Sequence, residues 1–331
     1  DYMKRKKGFI LVSHDRYFLN QVIDHVLSLN RCSIQLQKGN FDSWKQNKDQ
    51  EDESQLDQNL HLKKEIRRME EASRRTKGWS DKIEDSKIGT HAADRGAIGA
   101  QSARMMKRAK VLERRQEKAL EDKQGLLHDI EQTPDLKMNL MEYPKRKLLE
   151  AEELCIYYGD RRAAGPVSFQ LEQGERVVLT GPNGCGKSSI LKLILGEELR
   201  HTGRLTCGSG LVINYVSQDT SFLKGSLREY VAAERLDETT FKTVLRQLDF
   251  GREQFEKNME DFSSGQKKKV LLARSLVRPA HLFVWDEPLN YVDIFSRIQL
   301  EELILRYQPT ILIVEHDRMF AENVATKFVR L

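Results

Sequence analysis

Gly181-Pro182-Asn183-Gly184-Cys185-Gly186-Lys187-Ser188-Ser189 follows the apolar run Arg176-Val177-Val178-Leu179-Thr180, and its reading decides the fold. The pattern is G-x-x-x-x-G-K-[ST] in the strand–loop–helix setting that a phosphate-binding loop needs. Glycines at 181, 184 and 186 let the backbone curl until its N–H groups point inward at phosphate oxygens. In such a loop Lys187 reaches the β- and γ-phosphates, and the Ser188 hydroxyl joins a Mg²⁺ shell. A helix predicted from about Ser188, carried by Ile190, Leu191, Leu193, Ile194 and Leu195, adds its positive N-terminal end. A glycine-rich turn without a ligand is the plainer alternative. The Lys-Ser pair and the preceding strand weigh against it, and the stretch implies a nucleoside triphosphate site.

At 331 residues the chain has room for two domains, or one large domain plus an extension. Hydrophobic content of 39 % can build a core, while 32 % charged residues exceeds the ~25 % of a typical globular chain. The net charge of +5 permits nucleic acid as a partner without requiring it. No apolar run approaches the ~18–20 residues that span a bilayer, so no membrane insertion is expected. Asp1-Tyr2-Met3-Lys4-Arg5-Lys6-Lys7 is not followed by the apolar segment of a secretory signal. The cysteines at 32, 155, 185 and 207 form no C-x-x-C pair, and reduced thiols in a cytoplasmic protein are the plain expectation.

The apolar stretch at 9–13 precedes His14-Asp15-Arg16-Tyr17-Phe18, and Thr310-Ile311-Leu312-Ile313-Val314-Glu315 precedes His316-Asp317-Arg318-Met319-Phe320. Each copy reads as a buried strand, then His-Asp-Arg, then an amphipathic helix. A repeat about 300 residues apart points to two homologous ATPase domains, the first represented here by its tail alone. On this expectation the chain is N-terminally truncated. Residues 1–44 are then the end of a first domain, closing in a turn-like Gly39-Asn40-Phe41-Asp42-Ser43-Trp44.

From 45 to 135 the character changes. Residues 62–77 carry seven basic against three acidic side chains, and residues 104–123 carry eight against four. Each stretch has a sparse apolar stripe: Leu62, Ile66 and Met69 in one, Met105, Ala109, Leu112, Ala119, Leu126 and Ile130 in or just beyond the other. Spacings of 3, 4 and 7 predict helices with a narrow seam, packed as two antiparallel arms. Between them Asp94-Arg95-Gly96-Ala97-Ile98-Gly99 sits in the small-residue stretch where the chain reverses. A solvated helical spacer is the plain alternative. Two basic arms around a small-residue tip of no net charge favour a probe directed at a phosphate-rich partner.

From 148 to 331 strands and helices alternate, which predicts an α/β fold with a mainly parallel sheet. Chemistry-bearing residues follow in order. The apolar strand Leu282-Phe283-Val284-Trp285 ends in Asp286-Glu287-Pro288; Asp286 is placed to hold Mg²⁺ and Glu287 to polarise the attacking water. Gln218 follows another strand, within reach of metal and water. His316 follows the last apolar strand, where an imidazole can sense a γ-phosphate. Tyr158, before Gly159, can stack on adenine or be an ordinary strand aromatic.

Phe262-Ser263-Ser264-Gly265-Gln266 resembles the L-S-G-G-Q motif of ATP-binding-cassette domains. Its position between Gln218 and the Asp286-Glu287 strand is the one that family requires. The resemblance implies that ATP is sandwiched between one domain's phosphate loop and the opposing domain's Ser263–Gln266 equivalent, with ATP and Mg²⁺ as cofactors. It departs at Ser264, where the motif usually has glycine and a Cβ is expected to crowd an opposing γ-phosphate. A remnant first cassette, a charged helical linker and a second cassette together resemble the ABC-F subfamily of soluble translation ATPases. That resemblance implies action on the ribosome, with the linker tip 94–99 facing 23S rRNA and the P-site tRNA. Trp79-Ser80-Asp81-Lys82, the tip, and Trp285-Asp286-Glu287-Pro288-Leu289-Asn290-Tyr291 look closest to the members conferring lincosamide, streptogramin A and pleuromutilin resistance. His14 is then the first cassette's switch histidine. The opposing half of the ATP site is expected from the missing first cassette or a second chain, so this chain alone is expected to turn ATP over weakly. Competing readings are a general translation factor, the ATPase subunit of a membrane transporter, a DNA-repair ATPase with a coiled-coil arm, and a non-catalytic module.

Overall fold

A computed structural model describes residues 8–29, 34–85 and 136–331. The chain divides into two compact units, Asp1–Ile23 with Thr133–Leu331, and Asp24–Gln132. In chain order the first elements are α1 (Arg16–Val22), β1 (His25–Leu29), β2 (Ile34–Lys38) and α2 (Phe41–Asp85). Then come β3 (Lys147–Tyr158), β4 (Arg161–Glu172), β5 (Arg176–Thr180), α3 (Lys187–Ile194), β6 (Arg200–Cys207) and β7 (Ile213–Val216). Next are α4 (Leu227–Ala233), α5 (Glu238–Gln247) and α6 (Ser264–Val277). The last are β8 (Leu282–Asp286), α7 (Ile294–Tyr307), β9 (Ile311–Val314), α8 (Arg318–Val324) and β10 (Lys327–Arg330).

The larger unit is built on a five-stranded sheet of order β10-β5-β9-β8-β7, parallel throughout. Its central strands are apolar without alternation because both faces are covered. Leu282 and Val284 of β8 pack into one core while Phe283 and Trp285 pack into the other. The first core holds α3 and a small antiparallel sheet of order β4-β3-β6; the second holds α4 to α8. This is the expected α/β architecture, with two strands the sequence did not reveal, β6 and β10. Residues 9–13, expected as a buried strand, have no regular structure, and Ile10 and Val12 are 92 % and 89 % exposed. A strand of five residues is stable only when a neighbour satisfies its backbone groups, and among the described residues no ladder includes 9–13. α1 nevertheless forms, because Asp15 accepts the Phe18 N–H at 2.9 Å and caps it.

In the smaller unit β1 and β2 form an antiparallel hairpin. Gly39-Asn40 turns the chain, and the helix then starts at once at Phe41 instead of waiting for the expected turn to close at Trp44. Asn40 is the cause: its side chain accepts the Ser43 N–H at 3.0 Å. α2 is 45 residues long and contains the first basic stretch. Ile66 is buried while Lys63, Lys64, Arg67 and Arg68 are exposed, as the narrow apolar seam predicted. The second arm, 104–123, and the tip residues 94–99 lie outside the described residues.

Candidate active site

The strand order decides where the chemistry collects. β5, β9, β8 and β7 are neighbours, so the residues leaving their C-terminal ends share one edge of the sheet, the usual ligand position in such folds. Those residues are the phosphate loop after β5, Glu315-His316 after β9, Glu287 after β8, and Ser217-Gln218 after β7. Most of the phosphate loop, Gln218, Glu287 and His316 line an open cleft of about 700 Å³.

Gly186 precedes α3 with φ +93°, and a Cβ there would lie 2.4 Å from both the Ala163 carbonyl oxygen and the Ala164 Cβ. Only glycine fits that approach. No side chain caps α3, so its leading N–H groups face the cleft side of the loop with the helix's positive end behind them. Lys187 is buried, and its Nζ donates to the carbonyls of Gly181 (2.9 Å) and Pro182 (3.1 Å). Tyr158, at the end of β3, is half exposed over the cleft, with its hydroxyl 3.3 Å from Ser189 Oγ.

Glu287 sits at φ +49°, a strained setting for a non-glycine residue. Its N–H donates to the Val314 carbonyl at 2.9 Å, which fixes the backbone against β9. Its carboxylate is held from three sides. Gln218 Nε2 donates to Oε2 at 2.7 Å, Asn290 Nδ2 donates to the same oxygen, and His316 Nε2 stands 3.5 Å from Oε1. A carboxylate so oriented at the rim of a phosphate cleft is placed to accept a proton from water.

Asp286, behind Glu287, is 2 % exposed, and its Oδ1 has no hydrogen-bond partner among the described residues. Burial pushes its carboxyl above the usual range, reinforced by Glu287; the Ser188 hydroxyl, Lys268 and Lys187 pull it back. An orphaned buried carboxylate oxygen beside the Ser188 hydroxyl fits Mg²⁺. Among the described residues no group of three or more His, Cys, Asp or Glu could hold a metal. Mg²⁺ keeps its waters and takes phosphate oxygens plus one or two protein ligands. Asp286, Ser188 and Gln218 would hold the ion, which when bound neutralises phosphate charge.

The cleft therefore brings together Tyr158, Asn183, Gly184, Gly186, Lys187, Ser188, Ser189, Gln218, Glu287 and His316 from those predicted. Gly181, Pro182 and Cys185 belong to the loop without lining the cleft. His14 is exposed and does not line it. Nor do Ser263, Ser264, Gly265 and Gln266. These four open α6: Ser263 caps it and pairs reciprocally with Gln266 in a capping box. Ser264 is exposed in ordinary helical backbone. Gly265 is the position that needs glycine, because a Cβ there would meet the Tyr291 carbonyl oxygen at 2.4 Å.

Four groups were not anticipated. Arg161 and Arg162 line the cleft from β4, and Asn290 binds Glu287. Glu315 is buried and accepts the N–H groups of Leu289 (3.1 Å), His316 (2.7 Å) and Asp317 (3.2 Å), bracing the loop after Glu287 to the loop bearing His316. Burial raises its carboxyl pKa against the pull of those three donors. A carboxylate closing an otherwise apolar strand was the signal for it; Asn290, three residues beyond Glu287 and within turn reach, had a weaker one.

Residues 164–290 match the family described as ABC transporter. The chain is 28 % identical over 326 residues to the Ribosome protection protein VmlR of Bacillus subtilis (strain 168), covering 95 % of this chain and 58 % of that protein. It is 27 % identical over 350 residues to ABC transporter F family member 2 of Arabidopsis thaliana, covering 99 % and 46 %. A solved structure described as the ATP binding subunit of an ABC transporter is 27 % identical with TM-score 0.46, covering 56 % of this chain and 85 % of that one. The chain spans about half the length of the curated relatives it matches. Among the described residues no helix is long and apolar enough to cross a membrane. The larger unit carries an ATP-binding cassette of the family that hydrolyses ATP, and the chain as a whole is similar to proteins of ABC-F type.

Proposed function

We propose that this chain binds Mg·ATP in the cleft, hydrolyses it with Glu287 as the general base, and uses the nucleotide to govern binding to the ribosome. The observation that carries the reading is the Glu287 carboxylate, held by Gln218, Asn290 and His316 beside a complete phosphate loop. ATP closes such a site when its γ-phosphate is neutralised from both sides. The second side is a Ser-Gly-Gly-Gln-type loop from another cassette, the preceding domain of the same polypeptide or a second chain. Residues 1–44 are the end of that preceding cassette, 45–135 the helical linker and 148–331 the second cassette.

The linker is the ribosome-directed part. The exposed Lys63, Lys64, Arg67 and Arg68 on α2 give it the sequence-independent attraction of cations for an RNA backbone. Similarity to the Bacillus ribosome protection protein favours a protective role on the ribosome; our reading is protection against peptidyl-transferase-centre antibiotics, with the tip 94–99 as effector near 23S rRNA and the P-site tRNA. A general role in translation is the alternative. Both readings place the protein in the cytoplasm. Co-sedimentation with ribosomes is the test: a slowly hydrolysed ATP analogue should retain the protein, and ADP should release it. Equal retention with and without nucleotide overturns the reading. Replacement of residues 94–99 separates the two roles, since protection is lost with ATPase activity intact if the tip is the effector.

A further inference from the structure

Lys268 lies two residues past the loop that opens α6, on the face of the helix turned into the core, and is 2 % exposed. A buried ammonium is expensive unless its donors are met and its charge balanced. Its Nζ donates to the Ser217 carbonyl at 2.8 Å and to the Asp286 carbonyl at 3.4 Å. These two residues immediately precede Gln218 and Glu287, whose side chains meet at 2.7 Å. The charge faces Asp286, Glu287 and Glu315. Farther along α6 the helix is fastened to the same two strands. Asn214 of β7 donates to the Ser275 carbonyl at 3.0 Å, Arg274 donates to the Tyr215 carbonyl, and Trp285 Nε1 of β8 donates to Ser275 Oγ at 3.0 Å. Those ties hold the bodies of the strands. Lys268 alone among them reaches the backbone at the strand ends, where the hydrolytic residues begin.

We propose that Lys268 is a positioning residue of the hydrolytic site. It pins the backbone just before Gln218 and just before Glu287 to the helix that begins at Ser263–Gln266, and so keeps the Gln218–Glu287 pair in register. Two carbonyls from different strand ends converge on one point, and a multi-donor tip on a long apolar stem meets both. The proposal rests on the reading of Gln218 and Glu287 as the hydrolytic pair.

The test compares the full chain with K268M, which keeps the stem and removes charge and donors, and K268R, which keeps both. K268M should lower kcat about 10- to 100-fold, the range of a small misplacement of catalytic groups, with KM and the affinity for a fluorescent ATP analogue within about twofold. Amide hydrogen exchange should rise in peptides covering 215–220 and 286–290 and stay unchanged along the rest of α6. K268R should recover turnover to within about threefold of the parent. The proposal is overturned if K268M turns over as the parent does, if affinity falls as far as kcat, or if exchange rises along all of α6. Where K268M does not fold, K268Q, which keeps a donor amide and loses the charge, faces the same comparison. E287Q run alongside separates the two failures. A parent whose turnover does not depend on Glu287 sinks the reading of the site, while the exchange comparison still decides for or against Lys268.

Discussion

The two His-Asp-Arg copies share sequence and differ in structure. Before His316 the chain leaves β9, a strand buried between β5 and β8; before His14 the matching apolar residues have no regular structure. The helices that follow begin alike, with Asp15 accepting the Phe18 N–H at 2.9 Å and Asp317 the Phe320 N–H at 3.1 Å. A helix cap is complete within four residues, so it forms wherever the sequence occurs. A strand is completed by its neighbours, and the same apolar run is a strand in one place only. The arginines have diverged with their surroundings as well. Arg16 is buried against Glu301 of α7, which also accepts from Asn323 of α8 at 2.6 Å. Arg318 pairs with Glu322 on an exposed helix face and stacks over Tyr17 at 5.5 Å.

Function should divide the copies most sharply. E287Q removes the group on which the second copy's histidine converges. It is expected to lower turnover about 10³-fold while ATP-analogue affinity stays within a few-fold, measured by phosphate release and fluorescence titration. H316A should cost about 10²-fold by the same assay, and H14A less than twofold in this chain. Equal losses for H316A and H14A would erase the distinction between the copies. Next in size is the arginine pair. R16A leaves Glu301 without its ion-pair partner and should loosen the docking of α1 by about 3 kcal/mol, while R318A, on an exposed pair, should cost under ~1 kcal/mol. Limited proteolysis within 15–23 reads this as roughly 100-fold faster cleavage for R16A and little change for R318A.

The same division between local and tertiary information explains what the sequence disclosed. The phosphate loop, the Asp286-Glu287 strand end and His316 were legible because each is a short motif at the end of an apolar run, and the sheet order then gathers them. β6 was not legible: Arg200-His201-Thr202-Gly203-Arg204-Leu205-Thr206-Cys207 is almost wholly exposed and shows no alternation, and β3 alone recruits it. Ser264 was read as the departure from the cassette motif, yet the tight backbone approach falls at Gly265. The Tyr291 carbonyl that demands it comes from a loop 26 residues away, which no local pattern reports. G265A should therefore destabilise the cassette by roughly 1–3 kcal/mol in chemical denaturation, and S264G by well under ~1 kcal/mol. Lys268 did leave a trace. Positions 268, 271, 272 and 275 lie at helical spacing among the buried residues of α6, and a lysine in that row contradicts the helix's own apolar pattern.

The smallest difference between the copies tests the cap itself. D15A and D317A each remove a side chain that accepts one N–H at a helix start, an effect of about 1 kcal/mol. If capping were the whole role, the two substitutions would cost the same. Asp317 also accepts from Arg297 Nη1 at 3.0 Å, and Arg297 in turn donates to the Val292 carbonyl at 3.0 Å and to the His14 carbonyl at 3.4 Å. D317A should accordingly exceed D15A by roughly 1–2 kcal/mol in urea denaturation, because it strands a mostly buried guanidinium. D317N keeps a capping oxygen and loses the charge, so it should recover the cap's share and leave the remainder lost. Identical midpoints for D15A and D317A would show that the Arg297 network adds nothing to the second copy beyond the local motif it shares with the first.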